Sequence, residues 1–249
     1  VLIVILLVFI LSLWLRGPIP QHLDYHNFAD KQSYFGIPNF WNVVSNLPML
    51  FLGMYGLWQG ISHWHWRLDL ASKCIPVVLS LGIMGASVGS AWYHWAPDNA
   101  TLVWDRLPMT LVFMPLFALI IYKFVGKEVG TVSFYFLIPL GVFSVLYWQH
   151  TETTGHGDLR FYIFVQYFPM LILPFLLWLS PHRPSYIRYI LFVLGWYVLA
   201  KCFEHTDYYV YGLTHFWSGH TIKHLLAALS LWYVLKLTTA WEAEMARTR

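Results

Sequence analysis

The chain has 249 residues, of which 58% are hydrophobic and only 11% charged, and its mean hydropathy is +0.55. Soluble domains carry about 25% charged residues, so the composition excludes an ordinary soluble domain and reads as an integral membrane protein. A formal net charge of +3, with no Lys/Arg-rich run and no arginine–aromatic interleaving, excludes nucleic acid as a partner.

A membrane helix takes about 20 mostly apolar residues. Eight stretches qualify in chain order: 1–15, 43–59, 71–93, 104–124, 131–147, 161–179, 186–203 and 220–237. The apolar runs are too long for strands and do not alternate. The expected fold class is therefore all-α, a polytopic membrane helical bundle. Residues 1–15 lack a small-x-small cleavage site before Arg16-Gly17-Pro18, so they read as a membrane helix rather than a removed leader. The connection 16–42 is the longest and is polar, and is expected to fold over one mouth of the bundle. Pro48, Pro76, Pro108, Pro115, Pro139, Pro169 and Pro174 fall inside spans, where neighbouring groups re-satisfy the freed carbonyls. Cys74 and Cys202 fall toward opposite faces and form no C-x-x-C. No internal repeat or separate extramembrane domain is visible.

Eight spans place both termini on one side. That side holds Arg67, Lys73, Lys123, Lys127, Arg183, Arg188, Lys236, Arg247 and Arg249; the other holds Arg16, Lys31, Arg106, Arg160 and Lys201. Nine against five puts the termini in the cytoplasm.

Ionisable residues gather at the opposite face: His94, Asp105, His150, His156, Asp158, Glu204, His205, Asp207, His220 and His224. At that depth such groups cost several kcal/mol unless paired, hydrated or ligated, which makes them a functional hypothesis. His220 and His224 are four apart and share a helix face, as do Ser90 and His94. Asp105 follows His94 across the turn "WAPDNATLVW", and a hairpin there returns it to His94's depth. Three neutral imidazoles with an open position make a hydrolytic zinc pattern, which lowers the pKa of water at that position toward about 7. Taken singly, each residue has an ordinary role. The histidines can bond carbonyls or headgroups, Ser90 can pack helices, and Asp105 can pair with Arg106 or Lys223. Lys223 reads as snorkelling to the interface or as a carboxylate's partner. The many Trp and Tyr residues fit interfacial belts.

The ordered set Ser90-x3-His94-x10-Asp105 with His220-x3-His224 resembles the alkaline ceramidase family, within the CREST group of membrane hydrolases, in a bacterial-type form. "GIPNFWNVVSNLPMLFLGMYGL" resembles that family's entry into its first core helix, and the similarity runs over about 24–237. The resemblance implies a seven-helix hydrolase core over 23–240. The helix within 1–22 would be additional, and 241–249 a cytoplasmic tail. It implies zinc on His94, His220 and His224, Asp105 orienting or deprotonating the zinc's water, and Ser90 polarising or holding a substrate carbonyl. The reaction would be hydrolysis of a ceramide amide to a sphingoid base and a fatty acid, with a membrane lipid as the binding partner. A lipid-sensing relative with structural zinc is the alternative, and a His/Asp transporter a third reading, although no paired broken helices support it.

The family's calcium site corresponds here to "DYHNFAD" and "PNFWN". Asp24, Asn27, Asp30 and Asn39 offer oxygens, but Asn39 stands where the family has Glu, and calcium favours several carboxylates. His26 replaces the family's loop cysteine. Arg160 is expected to pair with Asp158 or Glu204, and Glu204 or Asp207 to fix a zinc histidine's tautomer.

Overall fold

A computed structural model describes residues 2–64, 69–179 and 186–247. It is a helical bundle with no strand among the described residues. The elements are α1 (Leu2–Leu15), a 3-10 turn (Leu23–His26), α2 (Phe40–Val44), α3 (Leu47–Ser62), α4 (Leu70–Trp95), α5 (Asn99–Phe124), α6 (Lys127–Thr153), α7 (Arg160–Leu179), α8 (Ile187–His205), α9 (Asp207–Thr214) and α10 (Gly219–Arg247). Four of them, α4 to α7, are long and apolar enough to cross a membrane, and α1 is a shorter apolar helix. Large side chains such as Phe51, Trp92, Phe136 and Trp178 are exposed on the bundle, an exterior suited to lipid. Of the positive charges used to orient the chain, Arg67, Arg183 and Arg249 lie outside the described residues.

Helices form at every expected span, with two differences. The stretch 43–59 is not continuous: the helix breaks at Ser45 and Asn46, separating α2 from α3. Pro48 opens α3 rather than lying inside it. It has no N–H to offer the carbonyl four residues back and disfavours helical backbone just before it, which weakens the helix where the break falls; the other span prolines lie inside continuous helices. At the other end, α10 runs to Arg247 and its Trp241 is buried, so residues 241–247 extend the last helix.

The packing order is α3 on α4, α4 on α5, α5 on α6 and α8 on α10. The α4–α5 hairpin turns on Asp98, whose carboxylate caps α5 by accepting the Thr101 N–H at 2.6 Å while Thr101 answers the Asp98 N–H. This capping box sends α5 back along α4. Gly89 allows the close approach: a Cβ there would lie 1.8 Å from the Trp104 carbonyl oxygen. Ser90 and His94 on α4 thereby come level with Asp105 on α5.

The connection 16–42 does fold over the bundle. His26 Nδ1 lies 2.8 Å from the Tyr93 hydroxyl and its Nε2 lies 2.9 Å from Asn99 Oδ1. One imidazole thus ties the loop to α4 and α5. Cys74 and Cys202 are free thiols.

Candidate metal centre and its cavity

His94, near the end of α4, meets His220 and His224, on the first two turns of α10. The ring centroids lie 4.7, 5.0 and 4.9 Å apart, and all three residues are buried. One nitrogen from each falls within 4.8 Å of the others, and this is the group among the described residues able to hold a metal ion. His94 Nε2 and His220 Nε2 stand 3.1 Å apart. In a tetrahedral site with metal–nitrogen bonds of about 2.0–2.1 Å, neighbouring nitrogens stand about 3.4 Å apart, so the spacing suits a shared ion. Without a cation or proton between them, two such lone pairs repel.

The third ring carries its own signal. His224 Nδ1 lies 2.8 Å from the Ser45 hydroxyl, which donates onward to the Asn42 carbonyl at 3.3 Å. With Ser45 accepting, Nδ1 carries the proton and Nε2 keeps its lone pair. That Nε2 is buried and has no partner, which is costly unless something ligates it. The donor set therefore fits a metal ion on chemistry as well as spacing.

The helix break makes this contact. Ser45 lies in the two-residue gap just before α3, and there it meets His224. The sequence reading gave Ser45 no role; Pro48, just after the break, was the available signal. Phe28, also unanticipated, packs its ring 4.6 Å from His94 and 4.4 Å from His220 and is 4% exposed, sealing the cluster from the loop side. Asp207 accepts the His220 main-chain N–H at 2.7 Å and the Ala29 N–H at 2.8 Å. It thereby satisfies an open N–H at the start of α10 and pins the loop to the bundle. No carboxylate bonds an imidazole of the cluster among the described residues. Glu204 and Asp207 do not fix a tautomer; a hydroxyl at Ser45 does so instead, because the break puts it nearer.

Ser90, Asp105 and His224 line one cavity of about 310 Å³. Its polar lining includes Ser90, Asp105, Lys201, Glu204, Lys223 and His224. Much of the remainder is apolar, including Met109, Phe113, Leu116, Val193 and Val234. Lys223 does not snorkel outward. Its Nζ lies 3.0 Å from Glu204 Oε1 and 3.2 Å from His220 Nε2, while Lys201 Nζ lies 2.5 Å from Glu204 Oε2. Arg160 pairs with Asp158 at 2.7 Å.

The residues offered for calcium take these positions. Asp24 and Asn27 are exposed and share one turn, Asn27 N–H donating to the Asp24 carbonyl. Asn39 takes a left-handed backbone and donates its amide to the His94 carbonyl at 2.7 Å. Asp30 is fully buried, and its carboxylate accepts N–H groups from Gln32 and Asn42. Burial raises the Asp30 pKa above its usual value, with Asp207 adding to the rise and the N–H groups opposing it. A carboxyl so placed organises the loop.

Fold and site define a helical membrane protein with a buried three-histidine cluster beside a largely apolar cavity. Compared with known proteins, the chain is 33% identical over 103 residues to "Putative alkaline ceramidase dcd3A" of Dictyostelium discoideum, covering 37% of this chain and 34% of that one. The chain thus matches about a third of the length of that curated relative. No family model and no solved structure matches it.

Proposed function

We propose that the protein is a zinc-dependent intramembrane amidohydrolase that cleaves the amide bond of ceramide-like lipids to a sphingoid base and a fatty acid. The observation that carries this reading is the placement of Ser90 and Asp105, beside the three-histidine cluster, on the wall of a cavity that is apolar along much of its length. A purely structural metal would need neither residue there. The partial likeness to a ceramidase points the same way.

His94, His220 and His224 would hold the ion, two of them through Nε2 atoms already face to face and His224 through its unpartnered Nε2. Zinc there supplies Lewis-acid polarisation and activation of water at neutral pH. The remaining chemistry falls to the chain. Asp105 accepts a proton as water adds to the amide carbon, then returns it to the nitrogen as the C–N bond breaks. Ser90 orients the Asp105 carboxyl and offers a hydroxyl to the carbonyl oxygen as it gains charge. Phe28 and the 16–42 loop keep bulk water from the cluster. The apolar wall takes the acyl chain. In this reading residues 23–240 form the hydrolase core, the helix within 1–22 is an addition, and the termini face the cytoplasm with the site toward the opposite leaflet.

The test is mass spectrometry of N-acyl lipids incubated with purified wild type, Asp105→Ala and His94→Ala. Expected are free fatty acid and amine from wild type, about one zinc in wild type and in Asp105→Ala, and neither zinc nor products in His94→Ala. Asp105→Ala should lose turnover by about 10²-fold or more, the usual worth of a general base. Undiminished hydrolysis by Asp105→Ala would overturn the mechanism.

A further inference from the structure

The charges on the cavity wall do not cancel. Three cations line it, Arg106, Lys201 and Lys223, against two carboxylates, Asp105 and Glu204. Both lysines are drawn to the same Glu204 carboxylate, one on each oxygen. Arg106 has no carboxylate partner among the described residues. Its Nη2 donates to Gln21 Oε1 at 2.6 Å, and its guanidinium lies 4.4 Å from the Trp148 ring and 5.0 Å from that of Tyr162. Arg106 is 6% exposed, and its Nη1 is buried without a partner. Aromatic faces attract a cation by about 0.5–2 kcal/mol but supply no counter-charge. A buried cation with no carboxylate in contact is costly, and this one persists in a wall that already holds two ammonium groups.

Resting on the hydrolase reading of this cavity, we propose that its cationic wall recognises an anionic group, so that among ceramide-like N-acyl lipids the preferred substrates are those whose amine half carries a negative charge, ahead of neutral ceramide itself. Two hydroxyls of a neutral headgroup would leave the excess positive charge in place, whereas one carboxylate or sulfonate discharges it. The position follows from the contacts. Lys223 reaches both Glu204 and His220, and Ser90 and Asp105 share its wall, so the anion sits beside the scissile amide while the acyl chain extends along the apolar wall.

A matched pair of probes isolates the charge: N-palmitoylserine and N-palmitoylserinol share acyl chain and backbone and differ in a carboxylate against a hydroxymethyl group. Hydrolysis and binding of each are measured on the full chain in detergent, with palmitate as a third ligand. Wild type is expected to favour the serine amide in kcat/KM by about tenfold or more, the worth of one charge-assisted hydrogen bond. Arg106→Gln and, separately, Lys201→Gln should lower that ratio toward one by reducing use of the acid. Arg106 is packed among rings, so Lys201→Gln guards against a variant that fails to fold. Preferential binding of the serine amide without cleavage of either probe would uphold the anion site while refuting the hydrolase reading. Equal cleavage of both probes would overturn the anion site and leave the hydrolase standing. Palmitate competing as well as the serine amide would also overturn it, by assigning the cations to the released acid.

Discussion

Gly89→Ala perturbs the site without touching any group that does chemistry. Alanine at this position would place its Cβ 1.8 Å from the Trp104 carbonyl oxygen and 2.6 Å from the carbonyl carbon, whereas real Cβ contacts essentially never fall below 3.0 Å. Both clashing atoms are main chain, so no side chain can rotate away, and α5 must withdraw from α4 by about 1.2 Å. Overpacking of this kind costs about 1–3 kcal/mol. The displaced residue is Asp105, which moves away from Ser90, while His94, His220 and His224 lie on α4 and α10 and keep their spacing. A misplacement of about 1 Å in a reacting group lowers rate by about 10²-fold. The assay is paired: zinc content by elemental analysis and amide hydrolysis by mass spectrometry, with melting temperature in detergent as the stability readout. Zinc should be retained, turnover should fall about 10²-fold, and the melting temperature should drop. Gly195→Ala serves as control, because a Cβ there meets nothing within 4 Å. Wild-type turnover and melting in Gly89→Ala would refute both the tight α4–α5 crossing and the demand on Asp105's position.

Ser45→Ala removes the acceptor that fixes the His224 tautomer, and should weaken zinc binding by about 10–100-fold in competition with a chromogenic chelator, with little change in helix content. For Asp158, burial opposes its charge, but the Arg160 guanidinium and main-chain N–H outweigh it and hold its pKa below the ordinary 3.8. A depressed folded pKa means the unfolded chain binds more protons at acid pH. The Asp158 contribution is therefore present above pH 3.8 and fades as pH falls below it. Melting temperature against pH should fall more steeply in wild type than in Asp158→Asn below about pH 4; parallel curves would refute the pairing's role. Zinc added at about a hundredfold over its dissociation constant should stabilise wild type by about 2.7 kcal/mol and leave His224→Ala unmoved.

Local chemistry made much of this molecule legible in the sequence. Apolar run length gave the helices, because a backbone in lipid must satisfy its own hydrogen bonds. The four-residue spacing gave His220 and His224 a common face, and the turn after His94 returned Asp105 to its level. Asp98 and Thr101 show why that turn is tight. The remainder depended on contacts between segments far apart in the chain. Whether His94 meets the α10 pair rests on how α4, α8 and α10 pack. Ser45 reaches His224 across 179 residues from a break, just ahead of Pro48, in a stretch that hydropathy reads as one helix. Lys223 turned inward to Glu204 because α8 packs against α10 and brings that carboxylate within reach, and hydropathy carries no record of which neighbour a charge will find. The sequence by itself determined which residues could take part and on which faces of their own helices. Tertiary packing decided which of those faces met, since side-chain partnership is set by distances between helices that no local pattern encodes.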